Sequence, residues 1–380
     1  MKKMTKLDKP LLFVMFVFLV IGLIMVLSAS SMASYMRYSK SIYYYFIRHG
    51  IFIIIGLVAF SGALFLPSKF YKKISPLLII ILVGALFGLN IYGSVFNSSK
   101  GWYDLGIMTV QPSELGKICI ILYMAYYYEK HKDNLDNQWT LLKPILINII
   151  IFVLVAMQPD LGTAMIIFGI VVSIFYVLPL KKETRKPINR IFLGGILLVG
   201  LILLLTGGSF LRDYQLQRFN FINPCDRYEE ESGYQLCNSF IALKNGGLLG
   251  KGIGESTQKY LYLPESHTDF IFPIIVEEWG VLAGILIIMM YVFVLFRTLN
   301  IARRAVSLGG AIISFGVFAY LICHMLVNLM GVIGMAPLTG VPLPFLSYGG
   351  SYMLTLLFSM GLVQRVHYET YKKYHRKGSN

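Results

Sequence analysis

Apolar runs long enough to cross a bilayer recur along the whole chain, separated by short polar, mostly basic segments. A hydrocarbon core of roughly 30 Å takes about 20 apolar residues as a helix, and on that measure the pattern predicts helices at 10–31, 46–66, 76–94, 112–129, 142–158, 160–180, 190–207, 269–297, 307–334 and 350–366. Runs of this length exclude barrels of short alternating strands. The predicted fold class is therefore an all-α integral membrane protein of ten spans, a single polytopic domain over residues 1–380. Only Gln158-Pro159-Asp160 separates the fifth and sixth runs. Proline there disfavours helix at Gln158 and starts the next one, which predicts a tight turn in preference to one long kinked helix.

Charge decides the orientation. With ten spans and both termini cytoplasmic, inner segments collect Lys2, Lys3, Lys6 and Lys9, then Lys69, Lys72 and Lys73, the cluster from Lys181 to Arg190, and the basic tail from Arg365 to Lys377. The short outer loops hold Arg37, Lys40, Arg48 and Lys100. That asymmetry follows the positive-inside rule, whereas nine spans would put the 181–190 cluster outside. The first run follows a basic start as a signal peptide does, but its length and its loosely matching exit keep it as the first span.

Composition agrees. Of 380 residues, 56% are hydrophobic and 14% charged, and the mean hydropathy of +0.67 belongs to membrane proteins, not soluble domains. The net charge of +15 lies in clusters between apolar runs, so topology accounts for it and no nucleic-acid partner is expected.

One connection, 208–268, is much longer than the others and faces outward in this topology. Within it, Leu236, Phe240 and Leu243 recur at helical spacing, as in a helix lying in the membrane interface, and Gly246, Gly247, Gly250, Gly252 and Gly254 follow as a close-packing turn region. Cys225 and Cys237 share this loop and are the candidate disulfide pair of an oxidising compartment. Cys119 and Cys323 fall within spans as small core residues.

Four polar stretches are placed on the same outer side: Gly101-Trp102-Tyr103 with Gln111-Pro112-Ser113-Glu114, the Gln158–Thr163 turn, Leu263–Phe272, and Pro342–Ser351. Their gathering points to a shared outward cavity. Leu263–Phe272 sets Glu265, His267 and Asp269 at the mouth of an apolar run, where an acid is costly unless it has a role or reaches water. Glu114 and Lys117, three apart on one helix face, read either as a structural ion pair or as substrate contacts. Asp160 reads first as a helix cap. Glu277 and Glu278 either pair with Lys117 or an arginine of the bundle, or support Asp269 from behind. Trp102 is either an interface anchor or a platform for a sugar ring, and His267 a loop residue, since the histidines lack metal-ligand spacing.

These stretches resemble the SEDS family of bacterial membrane proteins (FtsW, RodA, SpoVE). The resemblance rests on Gln111-Pro112-Ser113-Glu114-Leu115-x-Lys117, Gln158-Pro159-Asp160-Leu161-Gly162-Thr163, Pro264-Glu265-Ser266-His267-Thr268-Asp269-Phe270 and Pro344-x-x-Ser347-Tyr348-Gly349-Gly350-Ser351. It spans nearly the whole chain and leans toward FtsW, although Glu278-Trp279-Gly280 is more RodA-like. It implies a peptidoglycan glycosyltransferase of the bacterial cytoplasmic membrane that polymerises lipid II and releases undecaprenyl diphosphate, beside a class B penicillin-binding protein. By position, Asp269 is similar to the family's essential loop aspartate, Trp102 to its outer-loop tryptophan, and Glu114 and Lys117 to its fourth-span pair.

In the mechanism this implies, Asp269 is the general base on an acceptor sugar hydroxyl. Lys117, Arg218, Lys251 or Lys259, or a divalent cation such as Mg or Mn, offsets the leaving diphosphate, with His267 and Ser347 as further substrate contacts. Asp269 holding the metal is the alternative role. Two other function classes fit the same pattern of spans and buried charge: a lipid-linked substrate flippase or transporter, and a scaffold that recruits a transpeptidase without chemistry of its own.

Overall fold

The computed structural model describes residues 6–37, 39–96, 99–106, 109–190, 193–194, 220–260 and 262–377. Apolar runs become helices α1 (Lys9–Met32), α2 (Tyr44–Phe65), α3 (Ser68–Tyr92), α4 (Pro112–Lys130), α5 (Gln138–Ala156) and α6 (Leu161–Val177). After the long connection come α7 (Glu231–Gly246), α8 (Ile271–Arg304), α9 (Leu308–Val332) and α10 (Gly350–Lys377). Nine of the ten expected runs coincide with helices here. The seventh, 190–207, lies almost entirely outside the described residues, as does Arg218. Among the described residues, six helices are long and apolar enough to cross a membrane: α1, α2, α3, α5, α8 and α9. Their outward faces carry exposed Phe13, Ile54, Ile80, Ile150 and Met289, which suits a lipid solvent.

Helix ends depart from the expected bounds where polar residues join a helix. Helix α3 starts eight residues early, at Ser68, and carries Pro76 inside it. Helix α10 runs on past residue 366 to Lys377. Residues 94–110, read as a loop, contain a small antiparallel sheet of β1 (Ser94–Phe96), β2 (Ser99–Asp104) and β3 (Thr109–Val110) in the order β1-β2-β3. Tyr103 on β2 donates its hydroxyl to Ala85 O at 2.7 Å, which pins the sheet to α3.

Helix α9 lies at the centre, packed against α4, α6, α8 and α10. At one end of the bundle charged groups tie helix ends together. Asp8, capping α1 through Leu11 N at 3.1 Å, pairs with Arg297 at 2.5 Å; Lys72 pairs with Glu129, and Glu369 accepts from Ser68 Oγ at 2.6 Å. The four polar stretches meet at the other end.

Candidate active site

Two of the motif turns are shaped by local hydrogen bonds. Asp160 accepts Thr163 N at 3.0 Å, capping α6, and its other oxygen accepts Gln111 Nε2 at 2.8 Å. Capping is thus what Asp160 does, and Gln111 joins that cap to the start of α4. In the Asp269 stretch, Thr268 N donates to Glu265 O at 3.1 Å and Thr268 Oγ1 to the Glu265 carboxylate at 3.0 Å, folding Glu265–Thr268 into a turn just before α8.

The segment 339–348 closes over that turn. Ser347 Oγ donates to Thr268 O at 2.6 Å and accepts Leu343 N at 2.8 Å, while Tyr348 N donates to His267 O at 2.9 Å. From α9, Asn328 Nδ2 donates to both Asp269 O and Val341 O at 2.8 Å. Gly340 sits so close that a Cβ there would lie 3.3 Å from Asp269 Oδ2, and its φ of +70° suits glycine. Helix α9 therefore holds the Asp269 backbone, and the 339–348 segment holds the two residues before it.

The result is a cavity of about 520 Å³ lined by Asp269, Glu265, Trp102, Arg48, Glu114 and Asp160, with the 337–342 segment and Tyr348–Tyr352 as further walls. Residues from all four polar stretches reach it. Its titratable lining is acidic, with Asp104, Glu114, Asp160, Glu265 and Asp269 against the guanidinium of Arg48. The Arg48 group also donates to Tyr44 OH at 2.6 Å.

Behind the cavity wall, Lys117 Nζ donates to Glu114 Oε1 at 2.7 Å and to His324 Nε2 at 2.9 Å. An ammonium has no lone pair, so His324 is neutral with its proton on Nδ1, where it donates to Pro342 O at 3.2 Å. Lys117 and Glu114 are both buried, and Glu114 Oε2 is buried with no hydrogen-bond partner among the described residues. The pair thus acts in two ways: Lys117 and His324 fasten α4 to α9 and to the 339–348 segment, while Glu114 faces the cavity.

Several expected site residues lie elsewhere. Lys251 pairs with Glu277 at 3.0 Å, and Glu277 also accepts from Ser256 Oγ at 2.5 Å, Thr257 Oγ1 at 2.9 Å and Asn245 Nδ2 at 3.2 Å. Lys259, itself buried, pairs with Glu278 at 2.9 Å, which accepts Ser28 Oγ at 2.6 Å. The partners of Glu277 and Glu278 are therefore loop lysines, neither Lys117 nor an arginine, because the 245–259 segment folds back over the start of α8. Neither lysine lines the cavity. His267 is buried beneath it, with ring centroids 4.4 Å from Tyr45 and 5.6 Å from Tyr348, and buried Ser347 is occupied with backbone. Cys225 and Cys237 are joined, S–S 2.05 Å, bridging the segment before α7 to its second turn. Among the described residues no group of three or more His, Cys, Asp or Glu side chains forms a metal-binding cluster.

His324, Asn328 and Arg48 were absent from the sequence-derived site. The first two are single polar residues within an apolar run, and a polar residue inside a span is the signal that finds them.

The profile of the cell cycle protein family FtsW/RodA/SpoVE matches residues 9–372. Over 372 residues the chain is 36% identical to the probable peptidoglycan glycosyltransferase FtsW of Bacillus subtilis, covering 96% of this chain and 92% of that protein. It is 34% identical over 366 residues to the FtsW of the same description from Coxiella burnetii, covering 93% and 94%. A chain from a structure of a peptidoglycan synthase complex that coordinates polymerization and crosslinking superposes with a TM-score of 0.75 at 24% identity, covering 96% of this chain and 99% of that one. The rod shape determining protein RodA of Thermus thermophilus gives 0.66 at 23% identity, covering 95% and 96%. At these identities the structural likeness is one of fold.

Proposed function

The chain belongs to the FtsW/RodA/SpoVE family of cell cycle proteins, and on that premise we propose that it is a membrane peptidoglycan glycosyltransferase that polymerises lipid II in the Asp269 cavity. The observation that carries this reading is the convergence of four separate polar stretches on one 520 Å³ cavity beside a positioned aspartate. The ten-span topology, with this cavity on the outer side and both termini inside, follows from the distribution of basic residues. Its relatives carry the FtsW name, the side of the family its approach to Asp269 resembles.

Asp269 takes the proton from the acceptor sugar hydroxyl as that oxygen attacks the anomeric carbon of the lipid-linked chain, and undecaprenyl diphosphate leaves. A single basic carboxylate with an activated leaving group suits direct displacement with inversion. Trp102 offers a face for a sugar ring. Arg48, on the cavity lining, would contribute positive charge toward the diphosphate; Lys117 acts through Glu114 and the loop it helps hold. Mg or Mn typically binds through one or two carboxylates together with substrate phosphates. In that alternative Asp269 would hold the ion instead of acting as the base, and the ion would add positive charge at the leaving group. A class B penicillin-binding protein is the expected partner for crosslinking the product.

The test is purified protein in liposomes given fluorescent lipid II, with and without that partner. Glycan ladders support the assignment; lipid translocation without polymer supports the transporter reading instead.

A further inference from the structure

The segment joining α7 to the charged 251–259 loop carries an exposed apolar tip. Leu248, Leu249 and Ile253 are 69%, 80% and 71% exposed, and none of them lines the Asp269 cavity. We propose that residues 247–250 dip into the bilayer as a membrane-embedded wedge, with Leu248 and Leu249 among lipid acyl chains.

The depth of the tip follows from its bonding to α8. Helix α8 breaks at Gly280, where φ is +86°, and the tip supplies partners for the backbone groups near the break. Val281 N donates to Gly247 O at 3.0 Å and Leu282 N to Leu248 O at 3.3 Å. In return Lys251 N donates to Glu277 O at 2.9 Å and Gly252 N to Glu278 O at 3.0 Å. Gly250 permits this approach, since a Cβ there would lie 2.2 Å from Glu278 O. Lys251 and Gly252 are therefore level with Glu277 and Glu278, and Gly247 and Leu248 with Val281 and Leu282.

Val281 and Leu282 lie inside the hydrocarbon. Arg297, paired with Asp8, marks one polar boundary of α8. From Arg297 to Val281 the helix rises about 24 Å at 1.5 Å per residue, and the hydrocarbon core is about 30 Å thick. Tilt only shortens the vertical distance. Between them α8 shows the bilayer Leu282, Ile285, Leu286, Met289 and Phe296, each exposed, and the tip continues that face. The Lys251–Glu277 pair, about 30 Å from Arg297 on the same rise, falls at the opposite boundary.

Backbone in lipid must have its polar groups satisfied internally. The bonds to α8 do this for Gly247 O and Leu248 O, and Gly250 N donates to Gly246 O at 2.8 Å. A loop destined for water has no such requirement.

The wedge is tested with a single bimane label on Leu249→Cys, and separately on Leu248→Cys, in a Cys119→Ala/Cys323→Ala background reconstituted into liposomes without any partner protein. Leu282→Cys serves as the lipid reference and exposed Glu255→Cys as the water reference. Labels at 248 and 249 are expected to match the 282 label, quenched by doxyl-chain lipids and with loss of iodide quenching. Quenching by iodide as at 255, with no response to doxyl lipids, overturns the proposal; comparing two tip positions guards against one poorly folded variant.

Discussion

Asn328 binds the backbone carbonyl of Asp269 at 2.8 Å and, through the same amide nitrogen, that of Val341. One side chain on the central helix therefore sets the position of the candidate base relative to the segment that walls its cavity. Removing it leaves two carbonyls in poor surroundings. Asn328→Ala is expected to cost about 1–3 kcal/mol in thermal unfolding, and to lower kcat for glycan polymerisation more than it raises KM for lipid II. Unchanged kcat would detach Asn328 from the site.

Lys117 and Glu114 are buried together, so removing one partner strands the other. Lys117→Met should destabilise the protein by about 3–5 kcal/mol. Adding Glu114→Gln should restore much of that loss, because the stranded carboxylate is gone. Unfolding midpoints of the two single variants and the double variant decide; strictly additive losses would argue against a coupled pair.

Gly340 faces the Asp269 carboxylate with φ of +70°. Gly340→Ala should introduce about 1–2 kcal/mol of backbone strain and press a methyl group toward Asp269 Oδ2. Polymerisation should fall in single-turnover assays while lipid II binding, followed by fluorescence, is largely kept.

The Cys225–Cys237 bridge closes a loop of 12 residues. Cys225→Ser with Cys237→Ser should cost about 2–4 kcal/mol and increase protease cleavage between 220 and 231, an outcome readable by mass spectrometry of the fragments. Resistance equal to the unaltered protein would mean that α7 is held by its packing alone, such as Ser239 Oγ on Val332 O at 2.8 Å.

Much of this arrangement is legible in sequence. Long apolar runs have few alternatives to helix, and polar residues at their ends stand out against them; Asp269, Glu114, Asp160 and Trp102 were found that way and meet at one cavity. Pairing across long sequence distances is what the pattern does not carry. Lys251 and Lys259 looked available for a diphosphate because nothing local shows that a glycine-rich turn folds them onto Glu277 and Glu278. His324 and Asn328 stand four apart on one face of an apolar run, so the sequence marks the face, but their roles depend on the 339–348 segment lying beside α9. The sheet of 94–110 is short: β1 and β3 have three and two residues, and the six of β2 do not alternate, with Trp102 beside Tyr103.

Asp269 is the proposed base on the acceptor hydroxyl, and Asp269→Asn tests that role most directly, since the amide keeps the shape and loses the basicity. In liposomes with fluorescent lipid II, the variant is predicted to fold, to bind lipid II and to form no glycan ladder at any pH tested. Glycan chains formed by Asp269→Asn at the rate of the unaltered protein would contradict the account.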